Sequence, residues 1–286
     1  MAAISDISII GPDAGISNSV EYGTERLICG AKLCGSKHLT VYRRTISQRT
    51  PWSVQANGDY HLLYLTQAAE GGVVSFQGDR HEASAGAGVL LAPGESAAFE
   101  TAGSGLNLLH LVVPKPPAAV EGELPGGPGY FFNRRTLRAL TDASGGRVRR
   151  FCAESSVRLR DGRRLTSTNA IQAGEMHYLA GGASPYHAHR GTDANPEGAD
   201  HCYITFEGHG RVEVEGEFRD IAAGTLVYFP PGVPHRLSAL GGPLDYFEVQ
   251  AWRSFKTSIL SQEPLGLKWY YERETPGEAL VEWNQS

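Results

Sequence analysis

Short apolar patches recur along the whole chain, each bounded by Gly, Pro, Asp or Ser. They are His61–Thr66, Gly72–Phe76, Gly88–Leu91, Leu108–Val113, Cys202–Phe206, Arg211–Val214, Thr225–Phe229 and Tyr246–Trp252. Val, Leu, Tyr and Phe dominate them. Runs of this length and composition predict strands, and their close spacing predicts an all-β sandwich or barrel. The best helical stretch is short, Asn133–Leu140, with Asn133 as its N-cap.

The two halves read as copies of each other. Gly78, Gly86 and Gly94 recur at the same spacing as Gly216, Gly224 and Gly232. The last of each trio follows a proline, Pro93 or Pro231. With small gaps, Pro51–Gln55 lies opposite Pro185–His189, and His61–Thr66 opposite His201–Phe206. This organisation predicts a first β-domain over 1–125, a linker with the short helix over 126–150, and a second β-domain over 151–286.

Composition narrows the picture. The 286 residues suffice for two ordinary domains, and 35 Gly with 16 Pro suit short strands joined by turns. A net charge of −5 gives no global drive toward nucleic acid or anionic membranes. No apolar run approaches the roughly 20 residues that cross a bilayer. Met1–Asp6 shows no basic segment leading into an apolar one, so a cytoplasmic location is expected. Cys29, Cys34, Cys152 and Cys202 form no C-x-x-C pair and are expected to be reduced thiols. Ten arginines between Arg134 and Arg164 are expected to form a solvated face.

The chemistry concentrates in the second half. Residues two apart on a strand share a face, so His187 and His189 can aim two imidazoles at one point. His201 opens the next strand, and His235 follows the turn Pro230-Pro231-Gly232. A lone histidine on a strand is more often a satisfied core or surface residue. Four in this order, with matching glycines, point to one divalent transition metal, because neutral imidazole suits Fe, Zn, Cu and Ni. Cys202, adjacent to His201, is expected to point away from such a centre.

These residues resemble the cupin superfamily. Its first motif is matched by Gly181, His187, His189 and Gly208, and its second by Gly224, Pro230, Gly232 and His235. The resemblance implies two cupin-type (double-stranded β-helix, or jelly-roll) barrels in one chain. Three departures stand out. His201 occupies the family's Glu ligand position, the loop 190–200 is longer than the family's, and Ala239 replaces a terminal Asn. Four histidines leave a bound M²⁺ its full +2 charge, where three His and one Glu would leave +1. A more cationic centre favours anionic ligands. Asp193 and Glu197 in the long loop are further oxygen donors in principle, though surface exposure is their commoner fate.

In the first half Ser53, Gln55 and Ala97 stand where His187, His189 and His235 do, and only His61 is retained, opposite His201. That domain is therefore expected to be structural, closing or dimerising the protein as a homodimer, with one metal ion per chain. The resemblance implies an enzyme acting on a small anionic or enolisable molecule. An Fe(II)-dependent dioxygenase is placed first, a Zn-, Mn- or Ni-dependent lyase, isomerase or cyclase second, and a non-catalytic metabolite-binding cupin third. Tyr186, Tyr228 and Glu248 are the catalytic candidates, with Tyr178 and Tyr246 as further pocket residues.

Overall fold

The computed structural model describes residues 3–47, 51–67, 70–103, 105–121, 127–137, 139–141, 146–152, 168, 170–252, 255–260 and 270–271. All eight stretches read as strands are strands. Two large antiparallel sheets dominate the described residues. The first runs, in spatial order, Tyr130–Asn133, Ala87–Leu91, Asp59–Gln67, Leu106–Pro114, Thr40–Ile46, Gly23–Cys29 and Ile16–Val20. The second runs Ser8–Ile10, Leu226–Phe229, Asp200–Glu207, Leu244–Ala251, Gln172–Tyr178, Arg147–Cys152, Leu140–Thr141 and Tyr270–Tyr271. Smaller sheets close each half into a barrel. One holds Trp52–Gln55, Ser96–Glu100, Val73–Phe76 and Asp79–Glu82. In the second half, Glu217–Ala222, His209–Val214 and Arg236–Ala239 form one, and His187–Arg190 with Lys256–Ile259 another.

The glycine repeat has a conformational cause. Gly78, Gly86, Gly94, Gly216, Gly224 and Gly232 all have positive φ, the region only glycine enters freely. In both halves the residue before the first glycine is left-handed too, Gln77 at φ 51° and Glu215 at φ 49°. Each pair makes the two-residue turn of a tight hairpin, joining Phe76 to Asp79 and Val214 to Glu217.

Strand alternation divides the apolar side chains among three cores. Trp52, Val54, Leu63, Val74, Phe99 and Leu108 fill the first barrel. Tyr203, Val212, Val227, Phe229, Leu237 and Tyr246 fill the second. The opposite faces of the two large sheets pack on each other through Leu62, Tyr64, Leu109, Leu111, Cys202, Ile204, Tyr228, Phe247 and Val249. The halves also exchange edges. Ser8–Ile10 pairs with Leu226–Phe229 of the second barrel, and Tyr130–Asn133 pairs with Ala87–Leu91 of the first.

The expected helix over Asn133–Leu140 is not formed. Phe132 is buried in the first sheet, and Leu140 pairs with Val148 in the second. Between them the chain makes a turn, in which Asn133 Oδ1 accepts the amide of Arg135 at 2.9 Å. The side-chain oxygen that favours an N-cap serves a turn equally well. Much of the arginine-rich stretch lies outside the described residues. Arg134 and Arg147 border a cleft of about 500 Å³ beside the second large sheet, together with Glu175, Glu207 and Asp245. No described helix is long and apolar enough to cross a membrane.

Candidate metal centre

His187 and His189 lie on the strand His187–Arg190 and share its inward face. His201 opens the neighbouring sheet at Asp200–Glu207, opposite Phe229 on one side and Gln250 on the other. His235 follows the Gly232 turn and bridges His187, with reciprocal backbone hydrogen bonds of 2.8 and 3.0 Å. The four side chains converge, each offering one nitrogen, all within 4.8 Å of one another. All four residues are buried, His201 and His235 at 1% exposure.

The arrangement fits a metal ion. Two nitrogens on opposite sides of an ion at about 2.1 Å lie about 4.2 Å apart, so the cluster needs only a small contraction. His187 Nδ1 faces the Pro185 carbonyl at 2.7 Å and His235 Nδ1 the Val233 carbonyl at 2.8 Å. Donation to these carbonyls places the protons on Nδ1 and leaves each Nε2 lone pair for the cluster. Nε2 of His235 and both nitrogens of His201 are buried without a hydrogen-bond partner. Polar atoms are rarely left so in an interior, and a bound ion would take up Nε2 of His235 and one of the two His201 nitrogens. Burial above all pushes the His187 pKa down to about 4, with His201 adding to the effect and the Pro185 carbonyl and Glu248 opposing it. His235 is held well below the ordinary value by burial, then by His187, His201 and His189. Both are therefore neutral donors at pH 7, the form that binds metal.

Around the histidines the wall is aromatic. Phe229 stacks on His235 at 4.0 Å, Tyr203 meets His201 edge-on at 4.6 Å, and Phe255 meets His189 at 4.6 Å. The strand Leu244–Ala251 contributes the polar groups. Tyr246 packs in the second barrel's core, while Phe247, Val249 and Ala251 face the inter-barrel core. Alternation puts Glu248 and Gln250 on the Tyr246 side. Glu248 Oε1 lies 3.3 Å from His201 Nε2, and the residue is 7% exposed. Gln250 Nε2 lies 3.1 Å from His189 Nε2, and Gln172 Nε2 donates to Gln250 Oε1 at 2.8 Å. Thr257 Oγ1 is 3.3 Å from His189 Nδ1.

Of the three catalytic candidates, only Glu248 is beside the histidines. Tyr186 precedes inward-facing His187 and points outward, where its hydroxyl accepts the Glu215 amide at 2.8 Å. Tyr228 pairs with Cys202, not with His201, and so lies on the inter-barrel face. Its hydroxyl donates to buried Asp200 at 2.6 Å, and burial, reinforced by Asp200, keeps it protonated. Both corrections follow from strand parity. Cys202 does face away, as expected, and its sulfur meets Cys29. Tyr178 and Tyr246 pack on each other at 5.5 Å inside the barrel. Asp193 and Glu197 are exposed, and Glu197 pairs with Lys37 at 3.0 Å. Gln250 and Gln172 escaped the sequence reading. The signal for Gln250 was present, two residues beyond Glu248 on one strand.

The first barrel has no equivalent cluster among the described residues. Its register shifts the sequence alignment by one. Val54, not Ser53, pairs with Ala97 as His187 bridges His235, which makes Val54 and Ala56 the counterparts of the His-x-His pair. Ser53 and Gln55 are exposed. Valine and alanine bind no metal, so the outcome for chemistry is the same.

Residues 174–250 match the family model for the cupin domain. No curated protein matches the chain by sequence comparison. Among solved structures, the putative glyoxylate-induced protein from Pseudomonas aeruginosa superposes with a TM-score of 0.68 at 12% identity, over 90% of this chain and 92% of that one. The E. coli protein Ylba superposes with a TM-score of 0.65 at 12% identity, over 88% and 93%. A mutant of Bacillus subtilis oxalate decarboxylase OxdC gives 0.64 at 13% identity, over 88% and 79%. The fold is thus two cupin-type barrels, with one candidate metal centre among the described residues. The chain carries a cupin domain over residues 174–250, within a two-barrel fold that it shares with these structures.

Proposed function

We propose that this protein is a metal-dependent enzyme acting on a small anionic or enolisable metabolite. The observation that carries the reading is the convergence of four buried imidazoles with Glu248 beside them. A bound divalent ion would supply Lewis acidity at a substrate oxygen and, as Fe(II), the redox capacity for oxygenation. One such ion per chain is proposed. With no anionic residue among the four donors, the positive charge offered to a substrate carboxylate or enolate is offset only by Glu248 beside them. The surrounding Phe229, Tyr203 and Phe255 exclude water and strengthen that attraction. Likeness to a decarboxylase of oxalate, itself a small dianion, supports this substrate class.

The protein's own groups have definable parts. His187 and His235 are held as donors by the Pro185 and Val233 carbonyls. Gln172 orients Gln250, whose amide borders the same space as Glu248. Glu248 is placed to take a proton from a bound carbon or hydroxyl acid, the part of a general base.

Fe(II)-dependent dioxygenation is the reaction class placed first. The second reading, a non-redox lyase, isomerase or cyclase, is favoured by Glu248 itself, since proton transfer alone drives such reactions. Protein reconstituted separately with Fe²⁺ and Zn²⁺ and assayed on small keto and hydroxy acids with and without oxygen distinguishes them. Dioxygenation requires Fe²⁺ and oxygen together. Full activity of the Zn²⁺ form under nitrogen would reverse the order. In either case Glu248→Gln should lower kcat by about 10²-fold or more while metal content stays unchanged.

A further inference from the structure

We propose that Cys29 and Cys34 are a dithiol pair that closes to a disulfide, a modification site separate from the metal centre. Their sulfurs are 3.2 Å apart, and both thiols are free. Cys29 ends the strand Gly23–Cys29, and Cys34 ends the short helix Ala31–Cys34, so one tight turn brings them together. That turn is held by the Leu33 and Cys34 amides, which both donate to the Gly30 carbonyl at 3.0 Å. A disulfide needs its sulfurs at about 2.05 Å, so closure asks for a movement of about 1 Å. Gly30 and Gly35 flank the helix, and no heavy atom lies within 4 Å of where a Gly35 Cβ would be.

The two thiols differ in access. Cys29 is fully buried and Cys34 only partly so. Cys34 is therefore the thiol that meets an oxidant, and Cys29 the one that resolves. With a low-molecular-weight disulfide as oxidant, Cys34 loses its proton and its sulfur attacks, forming a mixed disulfide and releasing one small thiol. Cys29 then loses its proton and attacks Sγ of Cys34, expelling the second small thiol. Two protein thiols are oxidised and one small disulfide is reduced to two thiols. The Cys202 thiol and then burial hold the Cys29 pKa up, and the Cys29 thiol and then burial hold that of Cys34 up, so the reaction is slow at neutral pH and quickens in alkali.

The position gives the bond a consequence. Directly after Cys34, the Lys37 and His38 amides donate to Asp200 Oδ2 at 2.9 and 2.6 Å, and Ser36 Oγ lies 2.9 Å from it. Asp200 is the neighbour of His201. The disulfide would staple the start of the loop that clasps the second barrel. Cys202 also touches Cys29 from the other half and is the competing partner.

The test uses the reduced full-length chain exposed to oxidised glutathione, alkylated, and digested with trypsin without reductant. Cleavage after Arg26, Lys32 and Lys37 separates the two cysteines, so a bond between them joins peptide 27–32 to peptide 33–37. The expected result is that joined pair, with alkylatable thiols in denaturant falling from four to two. Cys202→Ser should leave the pair intact, and Cys34→Ser should abolish it. Separate alkylation of both peptides, a persistent glutathione adduct on Cys34, or a link from Cys29 to the Cys202 peptide would each overturn the proposal. Should Cys34→Ser fail to fold, the Cys202→Ser digest decides.

Discussion

His201 is the residue that sets this centre apart from the family pattern, since it stands where a glutamate ligand is expected. It is 1% exposed, and neither ring nitrogen has a hydrogen-bond partner. If it holds the ion, His201→Ala should weaken metal retention by more than the 10- to 100-fold typical of merely supporting residues. Metal content after dialysis against a graded chelator measures this. His201→Glu should restore retention while raising KM for an anionic substrate, because the added carboxylate lowers the net charge of the centre. Retention unchanged in His201→Ala would remove it from the ligand set. A second pair of histidines, in the first barrel, adds to the acid sensitivity that depressed imidazoles confer. In the first barrel His110 Nε2 meets His61 Nδ1 at 3.1 Å, and Arg44 Nε donates to His110 Nδ1 at 2.9 Å. Burial, then Arg44 and His61, hold His110 well below its ordinary pKa, and burial also lowers His61. The unfolded chain takes up protons on these rings near pH 6.5 while the folded one resists. The unfolded state thus binds more protons in that window, so stability is full above about pH 6.5 and falls as pH drops below it. Urea midpoints at about pH 7.5 and pH 5.5 should show a smaller acid loss for His110→Gln than for the parent chain. An equal loss would place the acid lability elsewhere.

At the scale of elements, Asp200 shows how a strand end is fixed. Both carboxylate oxygens are engaged, Oδ1 by the Tyr228 hydroxyl and Oδ2 by the 36–38 loop of the other half. Asp200→Ala leaves the buried Tyr228 hydroxyl and two partly buried amides without this acceptor, at up to about 1–3 kcal/mol each. Denaturant unfolding should show a loss of about 3 kcal/mol or more, and Asp200→Asn a smaller one. A loss under about 1 kcal/mol would mean that water replaces the carboxylate. The strands and the four histidines were legible because their signals are local: apolar runs between turn residues, and a fixed spacing of His and Gly. The faces were less so. Parity assigns Cys202 outward from inward His201, and the same rule carried through the pairing of Phe229 with His201 would have placed Tyr228 outward too. That pairing is a long-range fact the sequence does not print. The one-residue difference between Ser53 and Val54 has the same origin, since a slip of one moves every side chain to the other face. Asn133 misled for another reason, because a cap and a turn use the same side-chain oxygen.

At the scale of the whole molecule, the two barrels are not beads on a string. Each large sheet presents one face to its own barrel and the other to its partner, and Tyr64, Phe151 and Phe247 meet there with ring centroids 5.0 to 5.9 Å apart. Polar ties reinforce the contact. Arg43 Nη1 donates to the Pro12 carbonyl at 2.9 Å while Nη2 reaches that of Gly224, and Trp252 Nε1 donates to the Pro114 carbonyl at 2.7 Å. The strand Ser8–Ile10 also covers the edge of Leu226–Phe229. Burying one large apolar side chain contributes about 1.5–3 kcal/mol, and this face holds many. The second barrel expressed alone, from residue 127 onward, would expose that face together with a bare sheet edge, the two features most prone to aggregation. We expect that fragment to be insoluble, or soluble only as large oligomers, although it contains all four histidines. The intact chain should unfold in one cooperative transition, seen as coincident loss of far-ultraviolet ellipticity and of bound metal. Size-exclusion chromatography of the fragment and two-probe melting of the full chain check both expectations. A soluble, monomeric fragment that binds one metal ion, or a full chain that releases its metal well before its strands melt, would show that the second barrel stands without the first.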